Sequence, residues 1–217
     1  VTEKWKILIT DKLYKDKLYE DTIFFIKKYF NNDLKKYDYV MMELMYIAII
    51  KENVEICRFL FTIIKDQNPF LELRRANPPL LNFAISRFEY KKYYSMDIVE
   101  CILENINDIN IKDGDTEYTA LHIAGSTKNV PICILKLLIS KGADLKSKDS
   151  SGTTPCMSAI FHNKNIDAIR YLIDIETNLN LKNSDNQTIK DLIYDWIEDP
   201  VYKLSFLKQI RNKKYST

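Results

Sequence analysis

Few residues in this chain could do chemistry, and they are scattered. It holds two histidines, His122 and His162, and four cysteines, Cys57, Cys101, Cys133 and Cys156. A histidine beside a carboxylate or thiol could act as a general base, and a Cys/His cluster could hold zinc. The spacing supports neither. No C-x-x-C pair occurs, each cysteine sits in an apolar helical context such as VEICRFLF or VPICILKLL, and two histidines so placed do not complete a zinc site. The four thiols are therefore expected to be buried and reduced, as in an intracellular chain. Acidic pairs such as Glu198-Asp199 have no catalytic partner in sequence and are expected to be solvated. There is no Gly-rich phosphate loop, no G-x-S-x-G, no H-E-x-x-H and no kinase motif set. No enzymatic activity, metal or cofactor is expected. A remote alternative is a divergent enzyme assembled from the charged and tyrosine-rich stretch Ser86–Ser95 and the C-terminal tail, but that stretch offers no nucleophile–base pair.

Composition narrows the function further. With 217 residues and 46% hydrophobic content the chain can bury a sizeable core. Its 32 basic and 30 acidic residues leave a formal charge of only +2, so no general attraction to nucleic acid or anionic membrane is expected. Lysine outnumbers arginine 26 to 6, and arginine is the better phosphate fork. The most apolar run, VMMELMYIAII at Val40–Ile50, is interrupted by Glu43 and falls short of the ~20 residues of a membrane span. It reads as a buried helix. No signal-peptide pattern is visible, and a start at Val1 rather than Met is compatible with a trimmed chain. The tail Lys208–Thr217, KQIRNKKYST, reads as a frayed, solubilising terminus.

The elements that position His122 repeat. Thr119, Thr154 and Thr188 recur at nearly equal intervals, which sets a repeat period. Ala124 corresponds to Ala159, Leu138 to Leu172, and Asn129-Val130 to Asn165-Ile166. Each unit begins with a Thr that can cap a helix, places a small residue where neighbouring helices must approach, and ends its second helix near a turn. Gly142 is expected to be left-handed there, and Asp149-Ser-Ser-Gly152 supplies hairpin chemistry. Upstream the pattern weakens. PLLNFAI at Pro79–Ile85 sets Ala84 where Ala124 stands, but the interval between those two alanines exceeds the period. Ser86–Ser95, SRFEYKKYYS, is therefore an insertion. Leu44–Phe61 fits another helix pair, and Leu13–Phe30 has helical apolar spacing.

The period, the TALHIA and TTPCMSA starts and the LLISKGADL second helix resemble the ankyrin-repeat family over about Asp113–Leu192. The resemblance implies an all-α ankyrin-repeat solenoid, a single domain over 1–217. Its expected parts are an N-terminal helical cap (1–37), degenerate repeats (38–112), two clear repeats (113–182) and an atypical terminal repeat or cap (183–217). In that family the histidine of the T-P-L-H turn hydrogen-bonds within and between repeats, so His122 is expected to staple the stack rather than catalyse.

The resemblance also implies a protein-interaction module that binds through hairpin tips and the concave face of the first helices. Tips are expected near Asp115–Tyr118 and Ser147–Ser151, with Tyr118 and Ser150 as their contact residues, and concave positions at Phe83, Ser86, Ile123, Ser126, Thr127, Ser158, Phe161 and His162. The insertion adds Arg87, Tyr93 and Tyr94, of types enriched at binding hot spots; the alternative is that its aromatics fold back to cover the solenoid edge or lengthen the helices. The Ile/Lys/Asn/Tyr-rich repeats are similar to those of poxvirus and other large-DNA-virus ankyrin proteins, and to ankyrin effectors of intracellular pathogens. This implies an intracellular chain, cytoplasmic or nuclear, that binds a host protein and antagonises an immune or host-range factor. The alternative is a substrate-recognition or scaffold domain of a larger protein, for example a ubiquitin-ligase adaptor. An F-box-like L-P-x-E-I run, common in poxviral members, is not found in Asp191–Thr217.

Overall fold

The repeat period of the sequence becomes a succession of helix pairs. The structure is a computed structural model and describes residues 38–65, 79–90, 95–162, 165–176 and 178–214. The expected N-terminal cap over 1–37, and Tyr93 and Tyr94, lie outside the described residues. The regular structure of the described residues is all helical. The chain divides into two compact units, one of Val1–Leu73 with Ser95–Ile106 and one of Arg74–Tyr94 with Asn107–Thr217.

The first unit contains α1 (Asp38–Ile50), α2 (Val54–Lys65) and α4 (Met96–Leu103), with α2 packed on both others. Here the apolar Val40–Ile50 run lies in α1, which is buried on one face while Ile50 is exposed at its end. It buries Leu44, Met45, Ala48 and Ile49 against Ile56, Cys57 and Leu60. Glu52 turns the chain in a left-handed conformation (φ 57°), and the amide of Asn53 reaches back to the carbonyl of Ala48 at 2.9 Å. The Asn53 side chain then caps α2 by accepting from the amide of Ile56 at 2.9 Å.

The second unit contains α3 (Leu80–Ser86), α5 (Ala120–Ser126), α6 (Ile132–Ser140), α7 (Pro155–His162), α8 (Ile166–Ile175), α9 (Ile189–Trp196) and α10 (Pro200–Lys214). First helices α3, α5, α7 and α9 stack side by side in one layer; α6, α8 and α10 form the other, each packed on its own first helix and its neighbour. The close approach of the first layer depends on small residues. Ala84, Ala124 and Ala159 are fully buried. A Cβ on Gly125 would meet Leu172 at 3.0 Å and Ala159 at 3.2 Å.

Among the described residues, three hairpins join the repeats with the same chemistry. Asp113, Asp149 and Asn183 each close a turn through a backbone amide, to the carbonyls of Tyr118, Thr153 and Gln187 at 3.0–3.1 Å. The left-handed position falls on Glu117, Gly152 and Asn186. The first turn is one residue longer, running Asp113–Tyr118 where the second runs Asp149–Thr153. Adjacent hairpins bond to each other, Ser150 N–H to Thr116 O at 3.0 Å and Ser184 N–H to Ser151 O at 2.9 Å. Lysines continue the ladder: Lys112 donates to Lys148 O at 2.6 Å and Lys148 to Lys182 O at 3.0 Å.

Two expectations are corrected. Lys208–Lys214 is not frayed but completes α10. Asp199 accepts from the amides of Val201 and Tyr202, Phe206 and Ile210 are buried, and Lys213 donates to the carbonyls of Ile173 and Asp174 at the end of α8. A cationic side chain at a helix C-terminus is favourably placed. Cys57, Cys101 and Cys156 are buried as expected, but Cys133 is exposed, because the helical phase of α6 turns Ile134, Leu135 and Leu138 inward instead.

Candidate protein-interaction face

His122 occupies the third position of α5 and is fully buried. The backbone N–H of Thr119 donates to its Nδ1 at 3.2 Å, and the Thr119 hydroxyl lies 2.8 Å from the same atom. Nε2 lies 3.0 Å from the carbonyl oxygen of Thr153, which can only accept, so Nε2 carries the proton and Nδ1 does not. Burial pushes the imidazole pKa below the ordinary histidine value, partly opposed by the Thr153 carbonyl. A neutral ring with both nitrogens engaged ties α5 to the next repeat's hairpin, and this is the staple expected from its motif. Among the described residues, no group of three or more His, Cys, Asp or Glu side chains could hold a metal ion.

Above the staple sits a row of rings. Tyr118 stacks on His122 with centroids 5.3 Å apart and 18° between planes. Its hydroxyl lies 3.2 Å from Nε2 of His162. Burial raises the phenol pKa, against a hydrogen bond with Ser158 that acts the other way. His162 meets Phe161 edge-on at 5.6 Å, and Phe161 meets Trp196 at 4.3 Å with a 45° tilt. Phe161 and Trp196 remain 46% and 43% exposed despite touching each other. They line an open cavity of about 400 Å³ with Asp185, Gln187 and Asp195.

The expected concave residues divide. Phe161 and His162 join the row, as does Tyr118, which folds over the face instead of standing at the hairpin tip. Ile123 is half-buried on α5. Ser126, Thr127 and Ser158 are buried and unavailable to a partner. The reason is the tight α5–α7 approach: the Ser126 and Ser158 hydroxyls lie 3.0 Å apart, and Ser126 also donates to the carbonyl of His122 at 2.8 Å. Thr127 is covered where Asn165 donates to its carbonyl at 3.3 Å. Ser150 is exposed on the second hairpin.

At the other end of the layer, Ser86 turns its hydroxyl onto the carbonyl of Phe83 at 2.7 Å. The Arg87 guanidinium lies over Phe83 (5.9 Å) and over Tyr90 (5.3 Å), and Tyr90 is 75% exposed. The start of the insertion is structural as well: Phe88 is buried, and Glu89 accepts from the amide of Lys128 at 3.0 Å.

Sequence reasoning missed Trp196, although the period itself points to it. It stands eight residues after Thr188, as His162 stands eight after Thr154. It also missed Asn165, which caps α8 through the amide of Ala168 (3.1 Å) while donating to the carbonyls of Thr127 and Val130.

A layer of first helices, a layer of second helices and hairpins bonded from step to step define an ankyrin stack, and residues 81–183 match the family model of ankyrin repeats in three copies. Over that segment the chain carries ankyrin repeats, which generally mediate binding to other proteins. Its relatives include poxvirus ankyrin repeat proteins. It is 29% identical over 152 residues to the putative ankyrin repeat protein FPV031 of fowlpox virus, covering 70% of this chain and 42% of that protein. It is 33% identical over 112 residues to ankyrin repeat protein OPG189 of vaccinia virus (strain Copenhagen), covering 51% of this chain and 19% of that protein. The chain thus spans less than half the length of these curated relatives. No helix among the described residues is long and apolar enough to cross a membrane.

Proposed function

We propose that this chain is a virus-encoded binding module that occupies a host protein inside the cell through the first-helix face of its second unit, and so antagonises an immune or host-range factor. The observation that carries the reading is the exposed ring pair Phe161–Trp196, continued by His162 and Tyr118. Large rings held rigidly at a surface are the side chains that dominate binding energy, because they bury much area at little conformational cost. The likeness to poxvirus proteins supports a host protein as partner.

Proximity labelling in host cells tests this. A Phe161→Ala/Trp196→Ala variant should lose a defined set of labelled host proteins, with affinity for an isolated partner falling by ~2 kcal/mol or more, about thirtyfold. A Lys136→Ala variant on α6 should retain them. Loss with Lys136→Ala and retention with the ring variant would place binding on the opposite layer and refute the assignment.

A second reading is supported by the coverage of the relatives. A segment matching 42% and 19% of longer proteins fits the substrate-recognition or scaffold part of a larger protein. The same face would then select what the rest of the protein acts upon.

A further inference from the structure

The chemistry around the exposed ring pair says what kind of side chain it receives. Phe161 comes from α7 and Trp196 from the end of α9, and their tilted contact at 4.3 Å leaves one face of the pair on the cavity. The other lining residues are Asp185, Asp195 and Gln187, two carboxylates and an amide. Gln187 donates to Asp195 Oδ2 at 2.9 Å, which fixes that carboxylate's direction at the rim.

The local charge is at odds with the chain's overall balance. From Asn183 to Pro200 there are five acidic residues (Asp185, Asp191, Asp195, Glu198 and Asp199) and one lysine, Lys190, in a chain of formal charge +2. Three of the five are engaged within the fold: Asp191 accepts from the Thr188 amide and hydroxyl, Asp199 caps α10, and Asp195 accepts from Gln187 through Oδ2 alone. Asp185 and Asp195 are the pair at the cavity.

We infer that this cavity receives an arginine side chain from a basic segment of the partner protein, its guanidinium lying on the Phe161–Trp196 pair and its N–H groups directed at Asp185 and Asp195. This rests on the protein-interaction reading above and specifies its chemistry. An apolar anchor would fill the space but desolvate two carboxylates without pairing them, which is costly. An anionic group would be repelled. A lysine ammonium is more strongly hydrated and has no planar fork, whereas a guanidinium stacks on a ring and pairs with carboxylates at the same time. The chain uses half of this chemistry itself, where Arg87 lies over Phe83 and Tyr90.

The test uses the full chain, uniformly 15N-labelled. It has two tryptophans, so two indole N–H signals are expected; that of Trp196 is identified by its loss in Trp196→Phe, and that of Trp5 serves as internal control. Three capped hexapeptides of alternating glycine with arginine, lysine or glutamate are titrated in. The arginine peptide should shift the Trp196 signal saturably, the lysine peptide should do so at higher concentration, and the glutamate peptide should leave it in place. Asp185→Asn/Asp195→Asn should weaken the arginine response about fivefold or more, with an unchanged melting curve. An unmoved Trp196 signal, equal response to lysine, or full response in the double asparagine variant would overturn the inference. Proximity labelling with the same variant separates the two claims. If host proteins lost on Phe161→Ala/Trp196→Ala are kept by Asp185→Asn/Asp195→Asn, the interaction face stands and the arginine assignment fails. If neither variant changes the labelled set, both fall.

Discussion

Nε2 of His122 donates to the carbonyl oxygen of Thr153 across 3.0 Å, and this one bond fastens helix α5 to the hairpin that opens the next repeat. It also decides the protonation of a buried ring. Nδ1 must accept from the amide of Thr119, so the histidine serves the stack only when neutral.

Removing that ring should cost stability and little else. His122→Ala leaves the Thr119 amide unpaired in the interior and takes one of two donors from the Thr153 carbonyl, which keeps the Asp149 amide, a loss of about 1–2 kcal/mol. Urea unfolding monitored by circular dichroism measures it. Partner affinity of the folded fraction should not change, since His122 is fully buried beneath Tyr118.

The same residue should give the protein a pH dependence of definite sign. Its folded pKa lies below the ordinary value of about 6.5, so between the two pKa values the unfolded chain binds more protons. The stability that neutral His122 provides is therefore complete above about pH 6.5 and is lost as pH falls toward the folded pKa. The slope approaches about 1.4 kcal/mol per pH unit. His122→Gln should flatten the difference between melts at pH 7.5 and pH 5.5; an unchanged slope would assign the dependence to another group.

Two glycines with the same sign of φ should differ in cost. Gly142 ends α6 at φ 94° with nothing within 4 Å of an added Cβ, so Gly142→Ala should lose only the left-handed penalty, about 1 kcal/mol. At Gly152 (φ 69°) a Cβ would stand 2.9 Å from the Ser184 hydroxyl and 3.1 Å from its backbone nitrogen. Gly152→Ala should lose that penalty and also break the Ser184–Ser151 hairpin bond, a total of about 2–3 kcal/mol. Equal melting temperatures for the two variants would contradict this.

Asn165 should be among the costliest polar positions. Its amide donates to two carbonyls of the preceding repeat while its oxygen caps α8. Asn165→Ala should lose about 2–3 kcal/mol, and Asn165→Asp more, because a carboxylate would face the carbonyls of Thr127 and Val130. Thermal melts of the two variants give the order.

The thiols should divide one against three. Cys133 should react rapidly with a maleimide, while Cys57, Cys101 and Cys156 should react only on unfolding. Burial pushes the Cys57 thiol up to about 12, with a further rise from Cys101, and burial also pushes Cys156 upward. Mass spectrometry of the labelled native protein should show one adduct.

The local chemistry of each repeat was legible in the order of its residues. A threonine before a helix, a histidine three residues later, a glycine after the second helix and an Asp-x-x-Gly turn act within a few residues of themselves. Their spacing therefore disclosed the stack and the left-handed Gly142, while the role of His122, whose Nε2 reaches Thr153 in the next repeat, came from the resemblance to ankyrin repeats. Which first-helix residues a partner can reach was settled only by packing between repeats. Ser126, Thr127, Ser158, Phe161 and His162 all belong to that helix face by position, yet Ser126 and Ser158 are sealed where Gly125 and Ala159 let α5 and α7 close upon each other, and Thr127 where Asn165 covers it. Asn165 and Trp196 gained their importance in the same way, from groups a full repeat away in the chain: two carbonyls of the preceding repeat for one, the Phe161 ring for the other. Exposure depends on the distance between elements, and that distance is set by side chains from other repeats, so no single repeat contains it.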